Sequence, residues 1–146
     1  MELLQERRDG LLLLRSPQLL RHREIVHCFT TRVGGVSEGQ YASLNISKST
    51  GDRPEHVAQN REILSRALQT DPGRLYLLHQ VLGAEVVHVF DSQFPPAGAV
   101  GDAMFTSHRK PLLTTLSADC LLLIAFLPDA GVVVNIHASW KGTLEE

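Results

Sequence analysis

The sequence predicts a fold that contains both β-strands and an α-helix, because short strand-like runs surround a single amphipathic helical segment. Apolar runs bounded by turn residues predict buried strands, and apolar residues at helical spacing predict the helix. The clearest signal is a hairpin, since residues 121–127 are continuously apolar and residues 132–136 nearly so. The turn cluster Pro128-Asp129-Ala130-Gly131 separates the two runs.

Composition limits the classes of protein to which the chain can belong. Its 146 residues, 43% of them hydrophobic, suit a single globular domain that spans the whole chain. Fourteen basic and sixteen acidic residues give a net charge of −2, which excludes an electrostatic footprint for nucleic acid. Two cysteines favour a reducing cytoplasm over a disulfide framework. The apolar run at residues 11–14 is too short for a membrane span.

The other elements follow from the same patterns. A helix is predicted from Pro54 to about Gln69, with Asp52 or Thr50 as its cap. The glycine-rich residues 33–45 predict a loop, and residues 92–101 predict a Pro/Gly-rich connection. Strands are predicted at residues 11–15, 25–32, 75–78, 85–90, 103–106 and 112–117, ahead of the hairpin.

The last residues carry the signature of a helix N-terminus. Thr143 has the residue type of a cap, and Glu146 follows at the spacing of a capping box. The chain stops where that helix should begin. We therefore expect a fold that is truncated at its C-terminus.

The open end of the hairpin is the candidate chemical site. If Pro128 and Asp129 form the turn centre, Cys120 lies directly opposite His137, and a four-residue loop makes the two diagonal neighbours on one face. Either register places a thiol and an imidazole roughly 5 to 8 Å apart. Such a pair suits zinc or a thiolate–imidazole nucleophile. The structural alternative is a buried Cys and a His that hydrogen-bonds to backbone.

A second group of candidates lies in the first third of the chain. Arg32 stands beside Gly34 and Gly35, an arrangement that can hold phosphate or carboxylate. His27 precedes it on the same predicted strand, where a structural role is the more common one. Asn45 can contact a ligand or stabilise its own loop. Residues 60–61 are most simply interpreted as a polar helix face.

Seven motifs follow one another along the chain: residues 27–45 (HCFTTRVGGVSEGQYASLN), 51–52 (GD), 60–61 (NR), 80–83 (QVLG), 101–103 (GDA), 118–120 (ADC) and 137–143 (HASWKGT). In this order they resemble a known family, the laccase-domain or polyphenol-oxidase-like proteins, now regarded as purine nucleoside phosphorylases with adenosine deaminase activity. Bacterial members have also been linked to peptidoglycan editing. The resemblance, rather than periodicity, implies an α/β mixed-sheet sandwich of which this chain is the N-terminal part.

The resemblance implies zinc held by two histidines and a cysteine. Cys120 and His137 match two of these ligands, but the third position reads Leu82, which has no donor atom. His79 lies three residues earlier, on the other face of an extended segment. Two ligands should hold zinc weakly, because catalytic zinc normally has three protein ligands. Ser139 and Lys141 also replace the family's usual Gly and Arg.

The resemblance further implies roles for the remaining candidates and a purine nucleoside and phosphate as substrates. Arg32 would bind the anion, His27 and Asn45 would contact the substrate, and Asp119 would carry a proton or orient a ligand. A non-catalytic remnant that needs a second chain or an oligomer to complete its fold is the alternative. A peptidoglycan-editing hydrolase is a further one. Copper-dependent phenol oxidation ranks last, since it needs several copper sites.

Overall fold

The computed structural model describes residues 2–90 and 99–144 and forms two compact units, Met1–Pro72 and Gly73–Glu146. Each unit contains β-strands together with helical segments. The strand pairs are antiparallel in the first unit and of both orientations in the second. The predicted α/β class with mixed sheets is therefore confirmed. That residues 1–146 form a single domain stays a prediction.

The first unit contains an antiparallel sheet of strands β1 (Leu4–Arg8), β2 (Leu11–Arg15) and β3 (Phe29–Thr30). The predicted bounds of β2 are confirmed, and its apolar face is fully buried at Leu11 and Leu13. β1 was not predicted, because its sequence, LQERR, is mostly charged and lacks an apolar run. The predicted strand at 25–32 is wrong except at residues 29–30, which pair with Leu14 and Leu13 of β2.

The predicted helix is confirmed as α1 (Pro54–Ala67), with proline in its first turn. Its predicted cap is wrong, since Arg53 occupies the N-cap position and makes no side-chain cap hydrogen bond. The Asp52 carboxylate instead accepts hydrogen bonds from the Ser37 hydroxyl and the Asn45 amide as well as from the Arg53 N–H. Asp52 therefore organises the preceding loop, which contains one helical turn, Gly39–Tyr41.

The polar face predicted at residues 60–61 is wrong for Asn60, which is 0% exposed. Its side-chain oxygen accepts the Val36 N–H at 2.8 Å. Its amide donates to the Ser37 hydroxyl at 2.8 Å and to the carbonyls of Asn45 and Ser43 at 2.7 and 3.2 Å. Four hydrogen bonds from one helical side chain thus hold the glycine-rich loop against α1.

Replacing Asn60 by Ala is expected to lower the free energy of unfolding by roughly 2–4 kcal/mol, since buried loop amides and carbonyls lose their partner. Urea unfolding followed by circular dichroism measures this. Gln59→Ala, at an exposed position of the same helix, is the matched control and should change stability by no more than about 0.5 kcal/mol. Equal losses in the two variants would contradict the role given to Asn60.

The described residues of the second unit form two sheets. Strands β4 (Leu75–Leu77) and β7 (Leu112–Thr114) pair in parallel. β5 (Val86–His88), β6 (Ala103–Thr106), β9 (Val132–Ala138) and β8 (Leu121–Leu127) form the larger sheet in that spatial order. A core of Tyr76, Val89 and Met104 joins the two sheets, with Leu78, Val87 and Leu113 packed around it.

The predictions for these strands were accurate where the apolar run was long or abruptly bounded. Those at 103–106 and 121–127 are confirmed residue for residue, whereas the strands predicted at 75–78, 85–90 and 112–117 are shorter in the structure. The strand predicted at 132–136 extends to Ala138. Residues 92–98 of the predicted connection lie outside the described residues.

The hairpin has a four-residue loop, since Leu127 pairs with Val132 and Leu122 pairs with His137. Gly131 adopts a φ of +61° in this turn, a conformation that favours glycine. Cys120 directly precedes β8, two residues before Leu122, so the diagonal register is the one observed. The hairpin therefore brings the thiol and the imidazole to the same end of the sheet.

The short helix α2 (Trp140–Leu144) follows β9 and begins earlier than predicted. Ser139 caps it, because its hydroxyl accepts the Gly142 N–H at 2.9 Å. The predicted cap, Thr143, lies inside the helix and donates its hydroxyl to the Ser139 carbonyl. Its predicted capping-box partner, Glu146, lies outside the described residues. None of the helices in the described part of the chain is long and apolar enough to cross a membrane.

Candidate active site

The candidate site is built around Asp102, at the residue that leads into β6. Its carboxylate is 2% exposed and accepts the backbone N–H groups of Val81, Leu82 and Gly83 at 3.0, 3.0 and 2.9 Å. It also lies 2.8 Å from Nδ1 of His137. The backbone carbonyl of Asp102 accepts the His137 N–H at 2.7 Å. One buried carboxylate therefore joins the turn at 81–83 to the end of β9.

The charge on Asp102 determines the tautomer of His137. Burial alone would raise the pKa of this carboxyl, but the hydrogen bonds from His137 and the three amides outweigh it and lower the pKa. An ionised carboxylate only accepts hydrogen bonds, so Nδ1 of His137 must be the donor. In the neutral ring, Nε2 then carries the lone pair and is the nitrogen available to a ligand.

Further contacts hold the neighbouring loops in place. The Gln80 side chain donates to the Leu116 carbonyl at 2.8 Å and accepts the Leu116 N–H at 2.9 Å. A Cβ at Gly142 would overlap the Gly83 carbonyl, which shows how closely α2 packs on the turn at 81–83. One structural cluster is thus formed by the QVLG motif at residues 80–83, the GDA motif at residues 101–103, the start of β8 and the end of β9.

Cys120 belongs to this cluster. Partial burial raises the pKa of its thiol, and the charge and hydrogen bond of Asp119 and the charge of Asp102 raise it further. The residue is half-buried and forms no disulfide. Cys120 and Asp119 line a shallow cavity of about 580 Å³ together with Leu121, Ala138, Trp140, Thr143 and Leu144. A thiol in this field is neutral at pH 7 unless a cation binds beside it.

The role of orienting His137 belongs to Asp102, because Asp102 makes the hydrogen bond to the ring. The exposed Asp119 raises the pKa of the neighbouring Cys120 thiol, and its role as a proton carrier or orienter of a ligand stays a prediction. Asp102 belongs to the GDA motif at residues 101–103, and no role was predicted for it. An aspartate at the start of a largely buried strand is the signal that could have found it, because a buried carboxylate needs several donors.

The donor set does not fit a catalytic zinc centre. Cys120 and His137 supply two donors, and the Asp102 carboxylate is already occupied by four N–H groups. Within residues 2–90 and 99–144, no three His, Cys, Asp or Glu side chains are grouped as metal ligands. Among the described residues His79 is therefore not grouped with Cys120 and His137, and zinc binding at this cluster stays a prediction.

Leu82, at the third ligand position implied by the resemblance, has an unusual backbone. Its φ is +62°, which is rare for leucine, and its side chain is 41% exposed. The three N–H groups bound by Asp102 hold the turn in this conformation. Asn, Asp and His adopt it more readily than a bulky apolar residue.

The other predicted site residues belong to the first unit. Arg32 is exposed, and its Nε donates to the Ala42 carbonyl at 2.5 Å. Asn45 uses its amide nitrogen on Thr50 and Asp52 and its side-chain oxygen on the Ser47 N–H. Asn45 thus stabilises its loop in this structure, and substrate contacts by Arg32 and Asn45 stay predictions.

His27 is buried and accepts the Ser16 N–H at Nε2, 3.0 Å away. Burial lowers the pKa of His27, and the charge of Arg15 lowers it further. The folded state therefore favours a neutral ring in a structural contact. A catalytic role for His27 stays a prediction.

The lowered pKa of His27 should make the protein less stable in mild acid. Below the unfolded-state pKa of about 6.5, the unfolded chain binds a proton that folded His27 resists, so stability falls as the pH falls. Between pH 7.5 and 5.5, the free energy of unfolding should fall less for His27→Gln than for the parent, and we expect the two decreases to differ by up to about 1 kcal/mol. Urea unfolding at the two pH values measures this, and identical pH dependence would contradict it.

Comparison with known proteins gives a consistent result. The family described as multi-copper polyphenol oxidoreductase laccase matches residues 26–146. A purine nucleoside phosphorylase of Deinococcus radiodurans is 43% identical over 92% of this chain and 50% of its own length. The purine nucleoside phosphorylase YfiH of Escherichia coli is 35% identical over 86% of this chain and 51% of its own.

A similar fold is found among solved structures. YlmD of Geobacillus stearothermophilus superimposes with a TM-score of 0.86 at 31% identity, covering 99% of this chain and 55% of that protein. The chain spans about half the length of the curated relatives that it matches.

Proposed function

Because the chain belongs to the family described as multi-copper polyphenol oxidoreductase laccase, we propose that it acts on purine nucleosides and phosphate. Relatives in that family at 35–43% identity are named purine nucleoside phosphorylases. The observation that carries the proposal is the buried pair of Asp102 and His137, beside Cys120 and the turn at 81–83. Such a pair offers a nitrogen of fixed tautomer for proton exchange.

In phosphorolysis, a phosphate oxygen forms a bond to C1′ of the sugar while the bond from C1′ to the purine nitrogen breaks. The base leaves with the electron pair and takes up a proton. Nε2 of His137 can accept a proton from phosphate, with Asp102 stabilising the imidazolium that results, and the imidazolium can then donate this proton to the departing base. Arg32 is proposed to bind the anion, and Asn45 and His27 to contact the nucleoside.

Adenosine deaminase activity, which we also propose, receives less support from the structure than phosphorolysis does. That reaction needs an activated water at C6 of the purine, and in this family zinc would supply the activation. Since Leu82 leaves only Cys120 and His137 as donors, we propose that zinc binds weakly. We expect deamination to be slower than phosphorolysis.

A non-catalytic role is the second candidate. One observation favours it: Leu82 stands at the position where the resemblance implies a metal ligand. On this proposal, the chain retains the fold and binds a nucleoside or a second polypeptide without turnover.

An assay with inosine and phosphate tests the proposal. We expect hypoxanthine to form only when phosphate is present, and His137→Ala to lose at least about 100-fold in rate, since proton transfer by a positioned histidine contributes roughly that much. A chain that binds inosine in calorimetry without turning it over would support the second candidate. A chain that neither binds nor converts purine nucleosides would overturn both.

A further inference from the structure

The only tryptophan of the sequence lies at the surface, beside the candidate active site. Trp140 is 75% exposed, although tryptophan is usually well buried because its indole has a large apolar surface. It begins α2 and lines the cavity to which Cys120 and Asp119 also belong. An exposed aromatic ring at the wall of such a cavity offers a flat face to a ligand.

The backbone on both sides of Trp140 is firmly held. Ser139, directly before it, is 1% exposed, and its hydroxyl accepts the Gly142 N–H at 2.9 Å. Because a Cβ on Gly142 would overlap the Gly83 carbonyl, α2 packs directly on the turn that Asp102 binds. The indole therefore projects from an anchored element, so that less conformational entropy is lost when a ligand binds to it.

The cavity combines apolar walls with hydrogen-bond acceptors. The Thr143 hydroxyl donates its proton to the Ser139 carbonyl at 2.7 Å, so its oxygen is left to accept, and the Asp119 carboxylate only accepts. The volume of about 580 Å³ lies within the roughly 300–1,000 Å³ of small-molecule sites. Apolar side chains form the rest of the wall beside the indole: Leu121, Ala138 and Leu144.

A purine nucleoside has the chemistry that this cavity suits. Its base presents two flat π faces, and the ring N–H of hypoxanthine and the ribose hydroxyls are hydrogen-bond donors. Stacking of a base on an aromatic side chain contributes roughly 5- to 150-fold in affinity. A pyrimidine, with a single ring, overlaps an indole less than a purine does.

We propose that the purine base stacks on the indole of Trp140, while the acceptors of the cavity bind donors of the base or the ribose. The proposal rests on the proposed function, because it names the side chain that recognises the base of the proposed substrate. Trp140 thus favours purine over pyrimidine nucleosides. It takes no part in the proton transfer assigned to His137.

The fluorescence of Trp140 tests the proposal in the parent chain, because no other tryptophan contributes to the emission. The chain is titrated with inosine in the absence of phosphate, so that binding is observed without phosphorolysis. We expect saturable quenching whose dissociation constant agrees with calorimetry. Uridine should bind more weakly, by roughly threefold or more, since its single ring overlaps the indole less.

Two substitutions at Trp140 and one control separate stacking from apolar contact. Trp140→Leu keeps an apolar side chain without a π face and should weaken inosine binding by roughly 5- to 150-fold in calorimetry. Trp140→Phe keeps a smaller ring and should lose less. Val86→Ala, at a 53% exposed apolar position on β5, is the control and should bind inosine as the parent does. Circular dichroism establishes that each variant is folded.

The stacking role and the proposed reaction can fail separately. Quenching and binding without release of hypoxanthine in phosphate would support stacking and contradict phosphorolysis. Turnover whose kcat and KM are unchanged in Trp140→Leu would overturn stacking and leave phosphorolysis in place. Inosine binding without a change in emission, or equal affinity for inosine and uridine, would also overturn stacking. A dimer of the parent that Trp140→Leu dissociates would instead assign the indole to a second copy.

Discussion

Replacing Leu82 by histidine is expected to raise the affinity of the chain for zinc by at least about 100-fold. Losing a residue that only hydrogen-bonds to a metal ligand already lowers metal affinity roughly 10–100-fold, and here a ligand itself is added. The substitution gives the cluster a third donor beside Cys120 and His137, the number that catalytic zinc normally has. The backbone at position 82, with its φ of +62°, accepts histidine more readily than leucine.

Leu82→Asn is the matched control for this experiment. Asparagine also tolerates the left-handed backbone, so it relieves the same strain without adding an imidazole. Competition with a chelating dye and elemental analysis measure affinity and stoichiometry. We expect one zinc per chain for the histidine variant alone. Equal zinc binding by the two variants would show that position 82 does not face the cluster.

Replacing Asp102 by asparagine is expected to cost roughly 3–5 kcal/mol of unfolding free energy. The two carboxylate oxygens each accept two N–H donors, Oδ2 from Val81 and Gly83, and Oδ1 from Leu82 and His137. An asparagine must point its NH₂ at one of these pairs of donors. At least one buried N–H therefore loses its acceptor in either orientation of the amide.

Urea unfolding measures the loss, and hydrogen exchange locates it. The amides of residues 81–83 should exchange faster in the variant, because they lose the carboxylate that binds them. Asp129→Asn, in the exposed turn of the hairpin, is the control and should stay within about 0.5 kcal/mol of the parent. A loss equally small for Asp102→Asn would show that the carboxylate does not hold the turn.

Much of the second unit followed from local patterns. The hairpin was predictable because two apolar runs and a turn cluster define its strands, and the four-residue loop was one of two registers considered. The end of the hairpin was harder to predict. Ser139 and Thr143 are both good caps, and only the hydrogen bond from Gly142 to the Ser139 hydroxyl distinguishes them.

The residues whose roles were not predicted form hydrogen bonds to residues that are distant in the sequence. Asn60 was predicted to lie on a polar helix face, yet its side-chain oxygen accepts the N–H of Val36, 24 residues away. Asp102 contacts His137 across 35 residues, through strands whose pairing no local pattern specifies. Polar residues that hold distant segments together carry no periodicity of their own, so only the fold reveals them.

If Asp102 fixes the His137 imidazole and leaves Nε2 for a ligand, the proton of the neutral ring must lie on Nδ1. Two-bond nitrogen–proton correlations in the ¹⁵N-labelled protein, recorded where the ring is neutral, identify the nitrogen that carries the proton. The geometry predicts the proton on Nδ1, and Asp102→Ala, which removes the acceptor altogether, should lose this preference. A parent protein with the proton on Nε2 would contradict the account.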